Sequence, residues 1–169
     1  MNYLKRQSGF TLVEILIVVI ILGIIAAIAL PQFSSASARG RASMMADDLR
    51  IFRTQITIFK SQHRDVPPGY PGLDIGATPT EAALIAQLTQ STNDSGGTAA
   101  PGTAGYPFGP YLREIPVNPI NSKSSVRIAA DGGSMAPSDS DGWIYQPSNM
   151  LFKADSSGTD DNGVAYADY

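Results

Sequence analysis

Cysteine is absent from this chain of 169 residues, and histidine occurs once, at His63. Without cysteine there can be no disulfide framework, no thiol nucleophile and no cysteine-based zinc site. A single histidine cannot form a catalytic dyad or a metal cluster with another imidazole. No pair of acids lies in an apolar setting that would separate two pKa values for acid–base work. The chain is therefore not expected to be an enzyme, and a single-pass membrane-anchored enzyme or binding domain is kept only as an alternative.

Charged residues make up only 16% of the chain, and they are unevenly distributed. Residues 34–64 contain six Lys or Arg against two Asp, whereas residues 65–169 contain four against twelve Asp or Glu. A basic segment below an acidic one suits end-to-side packing of identical subunits, and no nucleic acid binding is expected from this charge. The alternative is that these charges are solvated on unrelated faces.

One long apolar run dominates the sequence, from Phe10 to Leu30, and Glu14 is its only charge. At about 1.5 Å per residue, a helix of this length covers the hydrocarbon core of a bilayer. Lys5 and Arg6 precede the run, which predicts a cytoplasmic N-terminus. A charge at membrane depth costs about 2.5–3.5 kcal/mol on insertion scales, so Glu14 is expected to have a partner and a role. A plain anchor and a signal peptide cleaved at residues 36–38 are the ordinary alternatives.

The string Gly9-Phe10-Thr11-Leu12-Val13-Glu14 resembles the processing site of type IV prepilins and of the pseudopilins of type II secretion. The resemblance implies that residues 1–9 are a cytoplasmic leader, which prepilin peptidase removes by cutting after Gly9. It also implies N-methylation of the new N-terminal Phe10 and an assembly role for Thr11 and Glu14. Pro31 lies where this family commonly has a helix-perturbing proline.

Glu14 also has an electrostatic reason to pair with a newly formed N-terminus. Cleavage would create a free α-amino group on Phe10, four residues before Glu14. In a stack of parallel helices, this cation can lie beside the Glu14 carboxylate of a neighbouring copy. Pairing offsets the cost of keeping either charge in an apolar medium. We therefore predict that Glu14 is an assembly and register residue and not a catalytic acid.

The helix is expected to continue beyond Pro31, which removes one backbone donor and can kink it. Residues 10–33 are predicted to be its transmembrane and assembly half, and residues 34–64 its amphipathic half. Apolar residues in the second half recur in steps of three and four, the period of an amphipathic helix. They are Ala38, Ala42, Met45, Leu49, Phe52, Ile56 and Phe59, with Met44, Ile51 and Ile58 expected to widen the stripe.

Residues 65–169 are predicted to form a globular head. Prolines and glycines in residues 66–72 end the helix, and Thr80 is expected to cap a short helix through Leu88. Residues 91–105 are polar and rich in glycine, which predicts a mobile surface loop. The candidate strands are residues 124–129, 143–145 and 151–153. The expected fold is α+β and type IV pilin-like, with a long, partly transmembrane helix packed on a small antiparallel sheet.

Two acidic loops, residues 139–142 and 155–163, offer hard oxygen ligands of the kind that calcium prefers. Neither loop has the EF-hand spacing. Major pseudopilins are known for a calcium site in their C-terminal loop, and the second loop is loosely similar in placement. Asp155, Asp160 and Asp161 are therefore possible calcium ligands, and a solvated loop is the alternative. No other cofactor is expected.

Together these features predict a structural subunit of a pilus-like filament, anchored in the bacterial inner membrane before assembly. The head would lie in the periplasm or outside the cell. The expected partners are identical subunits, prepilin peptidase and a secretion or pilus assembly platform. The lack of cysteine and a Tyr-Pro turn at residues 70–71 favour a pseudopilin of type II secretion. A type IV pilus subunit, used in adhesion, motility or DNA uptake, is the alternative.

Overall fold

The computed structural model describes residues 9–169, apart from the side chains of residues 29–34. The predicted leader up to Ser8 and the side chain of Pro31 thus lie outside the described residues. The chain divides into two compact units, one up to Ala38 and the other Arg39–Tyr169. The second unit contains the sheets and the aromatic core.

Helix α1 spans Leu12–Gln62. In the second unit, one stripe of α1 is buried, as the three- and four-residue spacing predicted. Its buried members are Ala42, Met45, Leu49, Phe52, Ile56 and Phe59.

The expected widening of this stripe is wrong, because Met44, Ile51 and Ile58 are 60%, 43% and 38% exposed. Each precedes a buried residue by one position, which places it about 100° around the helix. The sheet covers a narrower face of α1 than the sequence suggested.

His63 has a structural place just beyond the end of α1. Its ring is fully buried and stacks on Phe59 with 3.9 Å between ring centroids. Its Nδ1 lies 2.8 Å from the Phe59 carbonyl oxygen, so this bond orients the imidazole. Arg64 and Asp65 then take positive φ angles, 53° and 64°, and the chain leaves the helical path before the predicted proline stop.

Helix α2 spans Glu81–Thr89, and its cap was predicted correctly. Thr80 Oγ1 accepts a hydrogen bond from the Ala83 backbone N–H at 3.2 Å, which satisfies one free donor of the first turn.

The segment after α2 corrects the prediction of a mobile loop over residues 91–105. Strands β1 (Ser91–Thr92) and β2 (Thr98–Ala99) pair antiparallel within it. Asn93 Oδ1 accepts hydrogen bonds from the N–H groups of Ser95 and Gly97, at 3.1 and 2.9 Å, and so closes the turn between the strands. A polar side chain of the kind that suggested a mobile loop therefore closes an ordered turn here.

A second sheet has the order β3 (Val126–Ile128), β4 (Trp143–Gln146) and β5 (Leu151–Ala154). Strands β4 and β5 pair antiparallel through a short 3₁₀ turn, as expected. The antiparallel prediction needs correction for β3 and β4, which are parallel. Residues 129–142 between them are long enough for the crossover that a parallel pair requires.

Aromatic side chains join α1 to this sheet. Phe52 stacks on Phe152 at 4.2 Å between centroids and meets the edge of Trp143 at 5.4 Å. Trp143 Nε1 donates to the Pro116 carbonyl oxygen at 2.9 Å, so the buried indole N–H is satisfied. Next to Phe52, the Arg53 guanidinium donates from Nε and Nη2 to the Phe152 carbonyl oxygen, at 3.3 and 3.0 Å. These aromatic residues are thus core residues, and the fold is α+β.

Candidate processing and assembly site

The predicted assembly residues meet at the first turn of α1. Thr11 is the residue before the helix, and both its N–H and its Oγ1 donate to Glu14 Oε2 at 2.8 Å. In return, the Glu14 N–H donates to Thr11 Oγ1 at 3.2 Å. This reciprocal arrangement is a capping box, which satisfies free N–H groups at the start of a helix. The Glu14 carboxylate is therefore held beside the first residues of the motif.

Gly9 and Phe10 lie before the helix, and both are exposed; Phe10 is 83% exposed. A Cβ atom built on Gly9 would meet nothing within 4 Å. The fold of the chain therefore makes no steric demand for glycine here. An accessible dipeptide before a helix suits entry into the groove of a protease.

Helix α1 has a continuous apolar surface in its first part. The large apolar side chains from Leu12 to Ile28 are all at least half exposed. Such a surface exceeds what soluble monomers normally leave in contact with water. It is therefore expected to be buried against another apolar surface. Among the residues that the structure describes, no helix has the length and apolarity of a membrane span.

The three acids considered as calcium ligands have separate partners. Asp160 Oδ1 accepts from the Asn162 and Val164 N–H groups at 2.8 Å, and Asp160 Oδ2 accepts from the Tyr169 hydroxyl at 2.6 Å. The Tyr169 bond and then these backbone bonds hold the pKa of Asp160 below its usual range. Asp161 forms an ion pair with Arg39 at 3.3 Å.

Asp155, by contrast, is fully buried. The Ser138 N–H and the Asp141 N–H donate to its two oxygens at 2.5 and 2.9 Å. Arg127 Nη2 lies 3.6 Å from Asp155 Oδ1. Within the described part of the chain, no group of three or more acidic or histidine side chains could hold a metal ion. Within the described residues, the three acids therefore do not form one cluster of ligands.

Acid should weaken the second unit through Asp155. Burial raises the pKa of this carboxyl, but the hydrogen bonds from Ser138 and Asp141 and the Arg127 charge outweigh it, so its pKa is lowered. Its stabilising contribution is complete above the unfolded value of about 3.9 and is lost as the pH falls through the lower folded value. We expect Asp155→Asn to cost about 1–3 kcal/mol at pH 7 and to flatten the stability profile below about pH 4.

Urea unfolding between pH 2.5 and 7 would measure both effects, with Asp131→Asn as the control because its side chain is exposed. An Asp155→Asn profile parallel to that of the wild type over this whole range would contradict the assignment.

No sequence pattern indicated three residues that contact the acidic loops: Asn118, Asn121 and Lys123. Their side chains bind the same loops through hydrogen bonds. The only sequence signal was two asparagines and a lysine in a short turn-like segment, which does not reveal a distant partner.

Comparisons with known proteins agree with the geometry at the N-terminus. Residues 4–30 match the model of the prokaryotic N-terminal methylation motif. The chain is 29% identical over 115 residues to type II secretion system core protein G of Pseudomonas aeruginosa, which covers 68% of the chain and 69% of that protein. By sequence, the chain is similar to core protein G of type II secretion systems.

Two further relatives agree with this similarity. Type II secretion system core protein G of Klebsiella pneumoniae is 28% identical over 119 residues, 70% of the chain and 73% of that protein. Fimbrial protein Q of Moraxella bovis is 31% identical over 103 residues, 59% of the chain and 66% of that protein. No solved structure matches the chain.

The free space around Gly9 leads to a sharp prediction for the prepilin-like motif. Gly9→Val should leave the folded unit unchanged, because a side chain at position 9 meets nothing within 4 Å. Cleavage should fall to an undetectable level, because the added bulk has to be accommodated by the peptidase alone. Mass spectrometry of the N-terminus would measure the cleaved fraction, with Gly40→Val as the control since its Cβ also meets nothing within 4 Å. Normal cleavage of Gly9→Val would contradict the assignment.

Proposed function

We propose that this protein is a structural subunit of the pseudopilus of a type II secretion system. It is made as a prepilin and is anchored in the bacterial inner membrane before assembly. The observation that carries this proposal is the exposed Gly9-Phe10 pair followed by a helix whose apolar side chains, from Leu12 to Ile28, are uncovered. A membrane before assembly and neighbouring copies afterwards would cover the same surface.

The orientation follows from charge. Lys5 and Arg6 precede the apolar run, so the N-terminus stays in the cytoplasm and the head is periplasmic. Cleavage after Gly9 then takes place on the cytoplasmic side, where prepilin peptidase removes the leader and methylates Phe10. During assembly, the chain contacts the secretion platform and further copies of itself.

Glu14 changes its partner during this process. In the isolated chain its carboxylate accepts both hydrogen bonds from Thr11. After cleavage, the α-amino group of Phe10 in a neighbouring copy becomes a cationic partner. The new partner carries a full positive charge, and opposite charges attract strongly in an apolar medium, so the exchange favours the assembled state. This pairing also fixes the axial position of each new subunit.

Similarity to fimbrial protein Q supports a second candidate, a type IV pilus subunit. Both candidates share processing and assembly. They differ in what the filament does, so a cell-based experiment has to separate them.

A deletion of the gene in its own host provides that experiment. A pseudopilin role predicts that folded exoproteins accumulate in the periplasm, as measured by comparing extracellular and periplasmic proteomes, and that wild-type complementation restores secretion. A pilin role predicts normal secretion with loss of surface filaments and surface motility. In both cases the mature protein should begin at methylated Phe10. An intact Met1 in the native membrane would overturn both candidates.

A further inference from the structure

Three side chains of residues 118–123, which we term the donor segment, bind the two acidic loops. Asn118 Nδ2 donates to the Gly142 carbonyl oxygen at 2.7 Å and to Ser156 Oγ at 3.0 Å. Asn121 Nδ2 donates to the carbonyl oxygens of Asp141 and Asp155, at 2.7 and 2.9 Å.

Lys123 completes the donor segment. Its Nζ donates to the carbonyl oxygens of Asp139 and Ser140, at 2.6 and 2.9 Å. The backbone oxygens of all four residues from Asp139 to Gly142 thus accept a bond from a side-chain nitrogen of this segment. These are the kind of hard oxygens that a calcium ion would otherwise gather.

One carboxylate from each loop is engaged as well. The oxygens of Asp155 accept from Ser138 and Asp141. The carboxylate of Asp139 accepts from both the N–H and the hydroxyl of Ser157, which ties the two loops together. Neither carboxylate would be available to an ion without loss of these bonds.

Close backbone contact holds the donor segment in place. A Cβ on Gly142 would lie only 2.7 Å from the Lys123 carbonyl carbon, so no larger residue fits there. The Asn118 N–H donates to the Lys123 carbonyl oxygen at 2.8 Å, and the Ser122 N–H donates to the Asn118 carbonyl oxygen at 2.8 Å. The segment is therefore a closed turn that presents its three side chains on one side.

We propose that the donor segment is a built-in substitute for a metal ion, with the Lys123 ammonium as the cation around which residues 139–142 are organised. The neutral amides of Asn118 and Asn121 satisfy the remaining backbone oxygens. The head then folds and keeps its loop structure without calcium.

Thermal unfolding of the full-length protein in detergent tests this proposal. Trp143 is the only tryptophan and is fully buried, so its fluorescence reports on the head. The wild type should have the same Tm within about 1 °C in about 5 mM EDTA, which removes calcium, and in about 10 mM CaCl₂, which roughly saturates extracellular calcium modules. Lys123→Met keeps the stem and removes the cation, and it should lower the Tm by about 2–6 °C in either solution.

Lys60→Met is the matched control, since Lys60 pairs with Asp65 on the surface and touches neither acidic loop. Its Tm should stay within about 1 °C of the wild type. Hydrogen exchange adds a local measurement: amides 138–142 and 155–157 should exchange faster in Lys123→Met only. A wild-type Tm that rises with calcium or falls with EDTA would overturn the proposal. Unchanged exchange in Lys123→Met would overturn it too.

Discussion

Replacing Glu14 with alanine should reduce filament assembly about 100-fold or more while cleavage after Gly9 continues. Removing one member of a buried ion pair costs about 3–5 kcal/mol, because the other charge stays buried without a partner. Here the orphaned charge would be the α-amino group of Phe10 in the neighbouring copy. Sheared filaments, measured by quantitative immunoblotting and electron microscopy, would give the yield, and mass spectrometry would give the cleaved fraction.

The capping box makes a second variant necessary. In the isolated chain Glu14 also satisfies donors of Thr11, so alanine removes a helix cap together with the charge. Glutamine serves equally well at this position of a capping box, yet it is neutral. Glu14→Gln should therefore keep the start of α1 intact and still fail to assemble.

Glu114→Ala is the control for loss of a carboxylate, because Glu114 is exposed in the second unit. It should assemble at the wild-type yield. Wild-type assembly of Glu14→Gln would show that Glu14 acts only as a cap, and the electrostatic role would have to be abandoned.

Replacing Phe52 with alanine should destabilise the second unit by about 3–5 kcal/mol. Phe52 is fully buried between Phe152 and Trp143, where α1 meets the sheet. The truncation removes a stacked and an edge-to-face contact and leaves a cavity that the surrounding strands cannot close. Because domains of this size are stable by about 5–15 kcal/mol, the loss should be visible as a large fall in the urea midpoint.

The neighbouring residue provides the control. Ile51 is 43% exposed, so Ile51→Ala should cost less than about 1 kcal/mol. Urea titrations of both variants, followed through Trp143 fluorescence in detergent, would measure the difference. Equal costs at positions 51 and 52 would mean that the buried face of α1 has been assigned incorrectly.

Much of this fold could be predicted from local patterns. The spacing from Ala42 to Phe59 identified the buried stripe of α1, and Thr80 identified the start of α2, because helix period and capping depend on near neighbours. The strands around Trp143 and Phe152 were also found, since aromatic residues between turn signals are typical of strands.

Long-range pairing could not be predicted in the same way. The direction of β3 relative to β4 depends on the path of residues 129–142, which no local pattern encodes. The burial of Ile51 and Ile58 was overestimated for a related reason: the sequence shows that a face is apolar, but not how wide a face the sheet covers.

The residues of the candidate site also differ in whether a local sequence pattern could predict them. Gly9, Phe10, Thr11 and Glu14 form a contiguous motif, and the structure brings Thr11 and Glu14 into direct contact. The role of Asp155 and Lys123 depends on segments that are distant in sequence. Acidic composition and a loose family resemblance suggested calcium. The donors that bind the backbone oxygens of these loops come from residues 118–123, ahead of both acidic loops.

The position of Arg53 has a consequence for aggregation through the edge of the sheet. β5 is an edge strand of its sheet, and its Phe152 carbonyl oxygen already accepts two hydrogen bonds from the Arg53 guanidinium. The unpaired backbone groups of an edge strand can pair with a strand of another molecule, and a positive charge at the edge disfavours this pairing. If the chain assembles as proposed, this contact would keep neighbouring heads from pairing through their strand edges.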